Sequence, residues 1–373
     1  MKTELIAAIR GMSSDGNTAL VASFLPEQRG ELVLPLSNDI PLLKEHFDQF
    51  CRSTNRYPNS VSGENHSWAV GLGVDYKEAQ RAKGVSKKPF VPVDWSRQVV
   101  LKGKIAVITG AAQGFGKGIA QGLAAEGMFV HIADVNEKGA LAVAQKLNEQ
   151  YGRQVAFASY VDVTDESSVE QLLEHVVLTT GGFDLFVSNA GVLKAGSVKT
   201  MSLKDFSFVT DVDYTGFFIC TKFASRVLAA QHAGSLGNHF SDIVTISSKS
   251  GLQGSNKNGA YAGAKFGTIG LTQSFALELA AEKIKVNAIC PGNYFDGPLW
   301  SDPQNGLFVQ YLKANKVPGA KTIEDVRTFY EAQAPLGRGC TPPDVVRAIC
   351  YVVEQRYETG QALPVTGGQV MLS

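Results

Sequence analysis

The stretch KIAVITGAAQGFGKGIA, residues 104–120, decides how the rest of the chain is read. Its first half is a run of apolar residues without alternation, the pattern of a strand buried on both faces. Its second half sets Gly110, Gly114 and Gly116 at the opening of a helix, with Gln113 and Phe115 in the same turn. Gly110 permits a tight turn and Gly114 lets backbone N–H groups approach a pyrophosphate. Gly116 allows close helix packing while the helix N-terminus faces the anion. Glycines also simply make turns, so the order of the motifs further along the chain carries the case.

Outward from this stretch the same rhythm repeats. MFVHIAD (128–134), VAFASYVDV (155–163), FDLFVSNAG (183–191), SDIVTISS (241–248), IKVNAICPG (284–292) and QALPVTGG (361–368) alternate with longer helical patterns. This predicts an α/β protein with a Rossmann-type, doubly wound parallel sheet of about seven strands. Asp134 ends the second strand about twenty residues past the glycines, where a carboxylate accepts ribose hydroxyls or caps the next helix. A carboxylate there repels a 2′-phosphate and no arginine follows closely, so NAD is expected rather than NADP. Asp162 and Val163 are expected beside the adenine, and Asn189 and Gly191 at a tight backbone approach to the cofactor. Each of these alone is also ordinary strand-end turn chemistry.

In TISSKSGLQGSNKNGAYAGAKFGTIGL (245–271), Tyr261 and Lys265 stand four apart in a helical pattern and so share a face. An ammonium beside the phenol favours tyrosinate and pulls the tyrosine down toward the working range of an acid/base catalyst. Ser248, at the end of the preceding strand, is placed to hydrogen-bond a substrate oxygen. TGAAQGFG, SNAG, Ser248, YAGAK and CPG follow one another as in the short-chain dehydrogenase/reductases, and the chain resembles that family over about residues 100–373. The resemblance implies Tyr261 as general acid/base, Lys265 lowering its pKa and holding the nicotinamide ribose, and Ser248 positioning the reacting oxygen. It also implies Pro291 and Gly292 at the cofactor, and a homodimer or homotetramer. SKSG (248–251), YAGAKFG, GLTQSFALELA, PLGRGC and TGQALPVTGGQVM look like members that interconvert a hexitol 6-phosphate and fructose 6-phosphate with NAD. Two positions depart from the family pattern. Asp213 stands where an asparagine is usual, and it is included among the catalytic residues: it either holds a water that relays protons to Lys265 or slows that relay, and its negative charge raises the lysine's pKa. Asn293 and Asp296 stand where a threonine usually contacts the carboxamide.

For the phosphate, the candidates are Lys249, Lys257, Lys194 and Arg338, with Lys313, Lys316 and Lys321 of the 293–340 segment weaker. That segment reads as a substrate lid or a plain surface excursion. Residues 1–98 form an N-terminal extension of undeclared role, ahead of a dehydrogenase domain at 99–373. The extension holds an amphipathic candidate, DIPLLKEHFDQFCRS (39–53), a polar stretch (54–67) and a Lys/Pro-rich connector (81–95). A cover for a sheet edge, a reach to a neighbouring subunit and a relic of fusion to another sugar enzyme are all open for it. Charges of 35 basic and 35 acidic residues cancel without long runs, which excludes nucleic acid and anionic membrane as expected partners. Five scattered cysteines without CxxC argue against disulfides and a metal site, and a reduced, cytoplasmic protein is expected. The competing class is a nucleotide-binding or scaffolding module, motivated by Asp213 alone.

Overall fold

The computed structural model describes residues 2–14, 19–25, 30–35, 37, 39–64, 68–81, 101–235 and 237–371. The connector beyond Arg81 therefore lies outside the described residues. The extension supplies helices α1 (Lys2–Met12), α2 (Ile40–Thr54) and α3 (Tyr76–Arg81) and strands β1 (Val21–Leu25), β2 (Leu32–Leu34), β3 (Ser60–Gly63) and β4 (Ala69–Gly73). The strands form one sheet in the order β1-β4-β3-β2. The amphipathic candidate is α2: Asp39 accepts from Leu42 N at 3.2 Å, and Leu43, Phe47 and Cys51, four apart, are buried on one face. The polar 54–67 stretch contains β3. Its serines tolerate burial because Ser62 Oγ accepts Gly30 N at 2.9 Å and Ser60 Oγ accepts Glu31 N at 3.0 Å.

The remaining chain alternates as expected. It runs β5 (Ile105–Thr109), α4 (Gly114–Ala125), β6 (Phe129–Asp134), α5 (Glu137–Tyr151), β7 (Ala156–Tyr160), α6 (Glu166–Thr180), β8 (Leu185–Ser188), α7 (Leu203–Thr210) and α8 (Gly216–Gly234). Then come β9 (Ser241–Ile246), α9 (Gly259–Leu279), β10 (Ile284–Pro291), α10 (Pro298–Ser301), α11 (Leu307–Lys313), α12 (Ile323–Glu331), α13 (Pro342–Glu354) and β11 (Ala362–Val365). The seven strands form a parallel sheet in the order β7-β6-β5-β8-β9-β10-β11. Ala106 and Ile108 of β5 face α4, α5 and α13, whereas Ile105 and Val107 face α6, α8 and α9. Burial on both faces is why the strand text is continuously apolar. Strand order reverses between β5 and β8, and an open α/β sheet takes its ligand at the carboxyl ends beside that reversal.

Among the described residues the extension packs on the helix layer, and Tyr76 of α3 also meets Phe157 of the edge strand β7 with ring centroids 5.0 Å apart. α1 lies so close to α8 that a Cβ on Gly234 would sit 2.2 Å from Ala8 O, and one on Gly11 would sit 2.2 Å from Gln231 O. Arg10 continues to the foot of the main sheet, where Arg10 Nη2 meets Asp184 Oδ2 at 2.8 Å with both side chains fully buried. The same oxygen accepts Ile105 N at 2.7 Å. Burial alone would raise Asp184, but Arg10, His239 and Lys104 hold it well below the usual carboxylate range. No helix among the described residues is long and apolar enough to cross a membrane.

Candidate functional site

A cleft of about 970 Å³ follows the carboxyl ends of the central strands, and its further end is walled by α10, α11 and α12. Small-molecule sites span roughly 300–1,000 Å³, so this one suits a large ligand or two adjacent ones. Gly110 and Gly114 have φ of +63° and +58°, in the left-handed region that favours glycine. At Gly114 a Cβ would meet nothing closer than Pro298 Cδ at 4.0 Å, so the turn opens to the cleft. At Gly116 it would lie 2.2 Å from Gly110 O, so the first turn of α4 sits directly on the strand end. Gly116 accordingly lies behind the cleft wall. This combination fits a dinucleotide: open backbone at a helix N-terminus, with the helix pressed against the strand behind it.

Asn189 Nδ2 donates to Thr109 O at 2.9 Å and to Gly110 O at 3.0 Å, tying the end of β8 to the glycine turn. Asp134 accepts Ala112 N at 2.9 Å and Asn136 N at 2.8 Å and faces the cleft. The capping alternative falls to Asn136, which accepts Gly139 N at the start of α5. Gln113, Phe115, Asp162, Val163, Gly191, Pro291 and Gly292 all line the cleft as expected. Phe115 packs its ring 4.9 Å from that of Tyr294, which links the glycine turn to the segment after β10.

Ser248, Tyr261 and Lys265 meet in the middle of the cleft. Ser248 follows β9 and accepts Ser250 N at 3.1 Å. Lys265 Nζ lies 5.6 Å from the Tyr261 ring centroid, donates to Ile246 O at 3.0 Å and stands 3.6 Å from Asp213 Oδ2. A π-turn at Asp211–Thr215, between α7 and α8, turns Asp213 inward, where it accepts Val192 N at 2.7 Å. Asp213 lies behind Lys265 and is not among the residues that line the cleft. A Cβ on Gly191 would come within 3.2 Å of Asp213 Oδ1 and 3.4 Å of Lys265 Nζ, so glycine leaves that pair its room.

Burial raises the Asp213 carboxyl above its ordinary value despite the pull of Lys265 and Val192 N–H. Burial works against charge on Lys265, but Asp213 and Tyr261 outweigh it and raise the ammonium, as the sequence led us to expect. The expected lowering of Tyr261 is corrected. Lys265 and a hydrogen bond from Ser248 pull the phenol down, yet burial, with Asp213 added, leaves it raised.

Of the four cations expected to meet a phosphate, Lys249 and Lys194 line the cleft. Lys257 and Arg338 do not, and both are corrections. Lys257 Nζ donates to Ala314 O at 2.5 Å and Asn315 O at 3.2 Å, holding the end of α11. Arg338 grips Asp344 two-handed, at 2.7 Å and 2.8 Å. Lys316, ranked low from sequence, does face the cleft, with Ser255, Asn258 and Tyr311 around it. At the departure after Pro291–Gly292, Asn293 lines the cleft and its Nδ2 is buried without a hydrogen-bond partner among the described residues. Asp296 turns away to Arg327 at 3.1 Å.

Comparison with known proteins gives the same outline. A short chain dehydrogenase family model matches residues 104–300. Sorbitol-6-phosphate 2-dehydrogenase of Escherichia coli (strain K12) is 38% identical over 270 residues, 72% of this chain and 99% of that protein. The crystal structure of sorbitol-6-phosphate 2-dehydrogenase from Erwinia amylovora superimposes with a TM-score of 0.66 at 38% identity, covering 72% of this chain and all of that one (100%). A 3-ketoacyl-(acyl-carrier-protein) reductase from Brucella melitensis, solved with NADH, gives 0.61 at 26% identity, covering 72% of this chain and 99% of that one. A match to more than half of the residues, and likeness along nearly the whole length of a known enzyme, make the chain a member of the short-chain dehydrogenase/reductase family, NAD(P)(H)-dependent oxidoreductases of alcohol groups.

Proposed function

We propose that the protein interconverts a hexitol 6-phosphate, sorbitol 6-phosphate, and fructose 6-phosphate with NAD. The observation that carries this reading is the meeting of Ser248, Tyr261 and Lys265 in the same cleft as the glycine turn. The likeness to two sorbitol-6-phosphate dehydrogenases supports the substrate. NAD is favoured because Asp134 faces the adenosine end and the neighbouring wall residues, Gln113, Val135 and Asp162, include no cation to meet a 2′-phosphate.

The bound dinucleotide supplies hydride chemistry at the substrate C2. Tyr261 Oη takes the C2 hydroxyl proton in oxidation and returns it in reduction, while Ser248 Oγ donates to the same substrate oxygen. Lys265 remains charged beside Tyr261, stabilising the tyrosinate and holding the nicotinamide ribose, and Asp213 positions Lys265 from behind. Asn293 Nδ2 serves the carboxamide. The 293–340 segment acts as the lid, since α10–α12 wall the substrate end.

Residues 1–98 are read as an extension attached to a 99–373 catalytic domain. The protein is read as cytoplasmic, with its five cysteines as separate thiols. Subunit pairing through α7–α9, giving a dimer or tetramer, is supported by Phe206, Phe218, Phe266 and Leu277, which leave 43–85% of their surface exposed there. Part of α8 is covered by α1 of the same chain.

Tyr261→Phe tests the assignment. It is expected to keep wild-type NADH binding, followed by nucleotide fluorescence, and to lose about 10²- to 10⁴-fold in turnover of sorbitol 6-phosphate. Turnover equal to wild type would remove Tyr261 from the acid/base role.

A further inference from the structure

The substrate end of the cleft carries a pair of cations that the chemistry at Tyr261 does not use. Lys249 lies in the short turn after β9, directly next to Ser248, and Lys316 lies in the loop between α11 and α12. Both are half-buried and both line the cleft. Lys316 Nζ sits 3.9 Å from the Tyr311 ring centroid and 3.2 Å from Ser255 Oγ. With the Asn258 amide oxygen turned toward it, Asn258 accepts from Lys316 Nζ at 2.9 Å and from Tyr311 Oη at 2.7 Å. These partners are all neutral, and among the described residues no carboxylate acts on either lysine.

Two half-buried ammonium groups facing one space, without a counter-ion of their own, are costly unless an anion joins them. Burial lowers Lys249, and burial with repulsion from Lys249 and Lys257 brings Lys316 down to about 7. Of the other cations of this region, Lys194 lines the cleft but is exposed, Lys257 is held by the backbone carbonyls at the end of α11, and Arg338 by Asp344. Tyr311 and Tyr261 belong to one aromatic cluster with Trp300 and Tyr330, which places the lysine pair beside the reacting tyrosine on the lid side.

We propose that Lys249 and Lys316, with Ser255, form the subsite for the phosphate monoester of the substrate, one lysine contributed by the catalytic sheet and the other by the lid. A lysine pair takes a phosphate as two point charges rather than as a two-pronged fork, so it fixes position more than orientation. Because Lys316 rides on the lid, a phosphorylated substrate bridges lid and sheet as it binds, and a free polyol does not. The inference rests on the proposed sugar-phosphate activity, and two readouts keep the two claims apart.

The first readout is kcat/KM for sorbitol 6-phosphate relative to free sorbitol in wild type, Lys249→Met, Lys316→Met and Lys316→Arg. Lys146→Met, at an exposed site on α5 away from the cleft, is the control. Losing one charge-assisted contact is expected to lower the ratio by about 10- to 100-fold, chiefly through KM, with partial rescue in Lys316→Arg and no change in Lys146→Met. The second readout is binding of inorganic phosphate, measured by calorimetry on the same proteins after NADH binding has shown them folded. Binding is expected to weaken in both methionine variants. A wild-type preference for sorbitol 6-phosphate that persists unchanged in both variants, with phosphate binding also unchanged, overturns the subsite and leaves the proposed activity standing. If wild type shows no preference for the phosphorylated substrate, the proposed activity falls. Phosphate binding then decides the anion site alone: loss in the variants supports it, and retention overturns it.

Discussion

Tyr261 is under opposed influences that only the folded arrangement can sum. Lys265 and Ser248 draw its phenol toward tyrosinate, whereas burial and the carboxylate of Asp213 hold the proton on. Asp213 therefore acts on the reaction through its neighbours. Replacing it by the usual asparagine removes a charge that raises both Lys265 and Tyr261. With a lower phenol pKa, tyrosinate forms at lower pH, so the rising limb of the pH profile for alcohol oxidation moves toward acid in Asp213→Asn. An unmoved limb would show that Asp213 does not govern the tyrosine. At this scale the sequence reveals what is local: Tyr261 and Lys265 are recognisable because four residues on a helix is a short-range relation. Lys316 ranks low in the sequence, because its value comes from Ser255, Asn258 and Lys249, which stand about sixty residues away in the chain. Lys257 misleads for the same reason, its partners Ala314 and Asn315 being equally remote, whereas Arg338 is taken by the nearby Asp344.

At the scale of elements, the main strands are legible because the central ones are mostly apolar and buried on both faces, as a parallel sheet demands, while the edge strands β7 and β11 are only partly buried. The extension is harder to read. β3 is the tetrapeptide Ser60–Gly63, polar in text yet buried throughout, and its hydroxyls are satisfied by backbone N–H groups of a segment thirty residues earlier. The helix α1 is likewise explained only by what it meets. Gly11 and Gly234 let α1 and α8 approach to backbone contact, and Arg10 pairs with Asp184 beneath the main sheet. Gly234→Ala puts a methyl group against Ala8 O, and overpacking of that kind costs about 1–3 kcal/mol. The variant is expected to melt at lower temperature and to show faster amide hydrogen exchange across α1, while NADH binding persists. Unchanged melting and exchange would mean that the α1–α8 seam contributes little to the stability of the whole.

At the scale of the molecule, the reversal of strand order between β5 and β8 brings together residues that are far apart in sequence. The glycine turn, the Ser248–Tyr261–Lys265 group and the lid converge on the carboxyl ends of the strands, in one cleft. Asp134 stands toward one end of that cleft and the lysine pair toward the other, so the two ends carry opposite charge preferences. A cofactor without a 2′-phosphate and a substrate with a phosphate satisfy both. The most direct test is the initial rate of nicotinamide reduction by the purified full-length protein with sorbitol 6-phosphate and NAD, set beside free sorbitol with NAD and sorbitol 6-phosphate with NADP. The account predicts rapid turnover with the first pair and feeble turnover with the other two. Equal rates with free sorbitol, a preference for NADP, or no turnover of any polyol by a protein that binds NAD would contradict it.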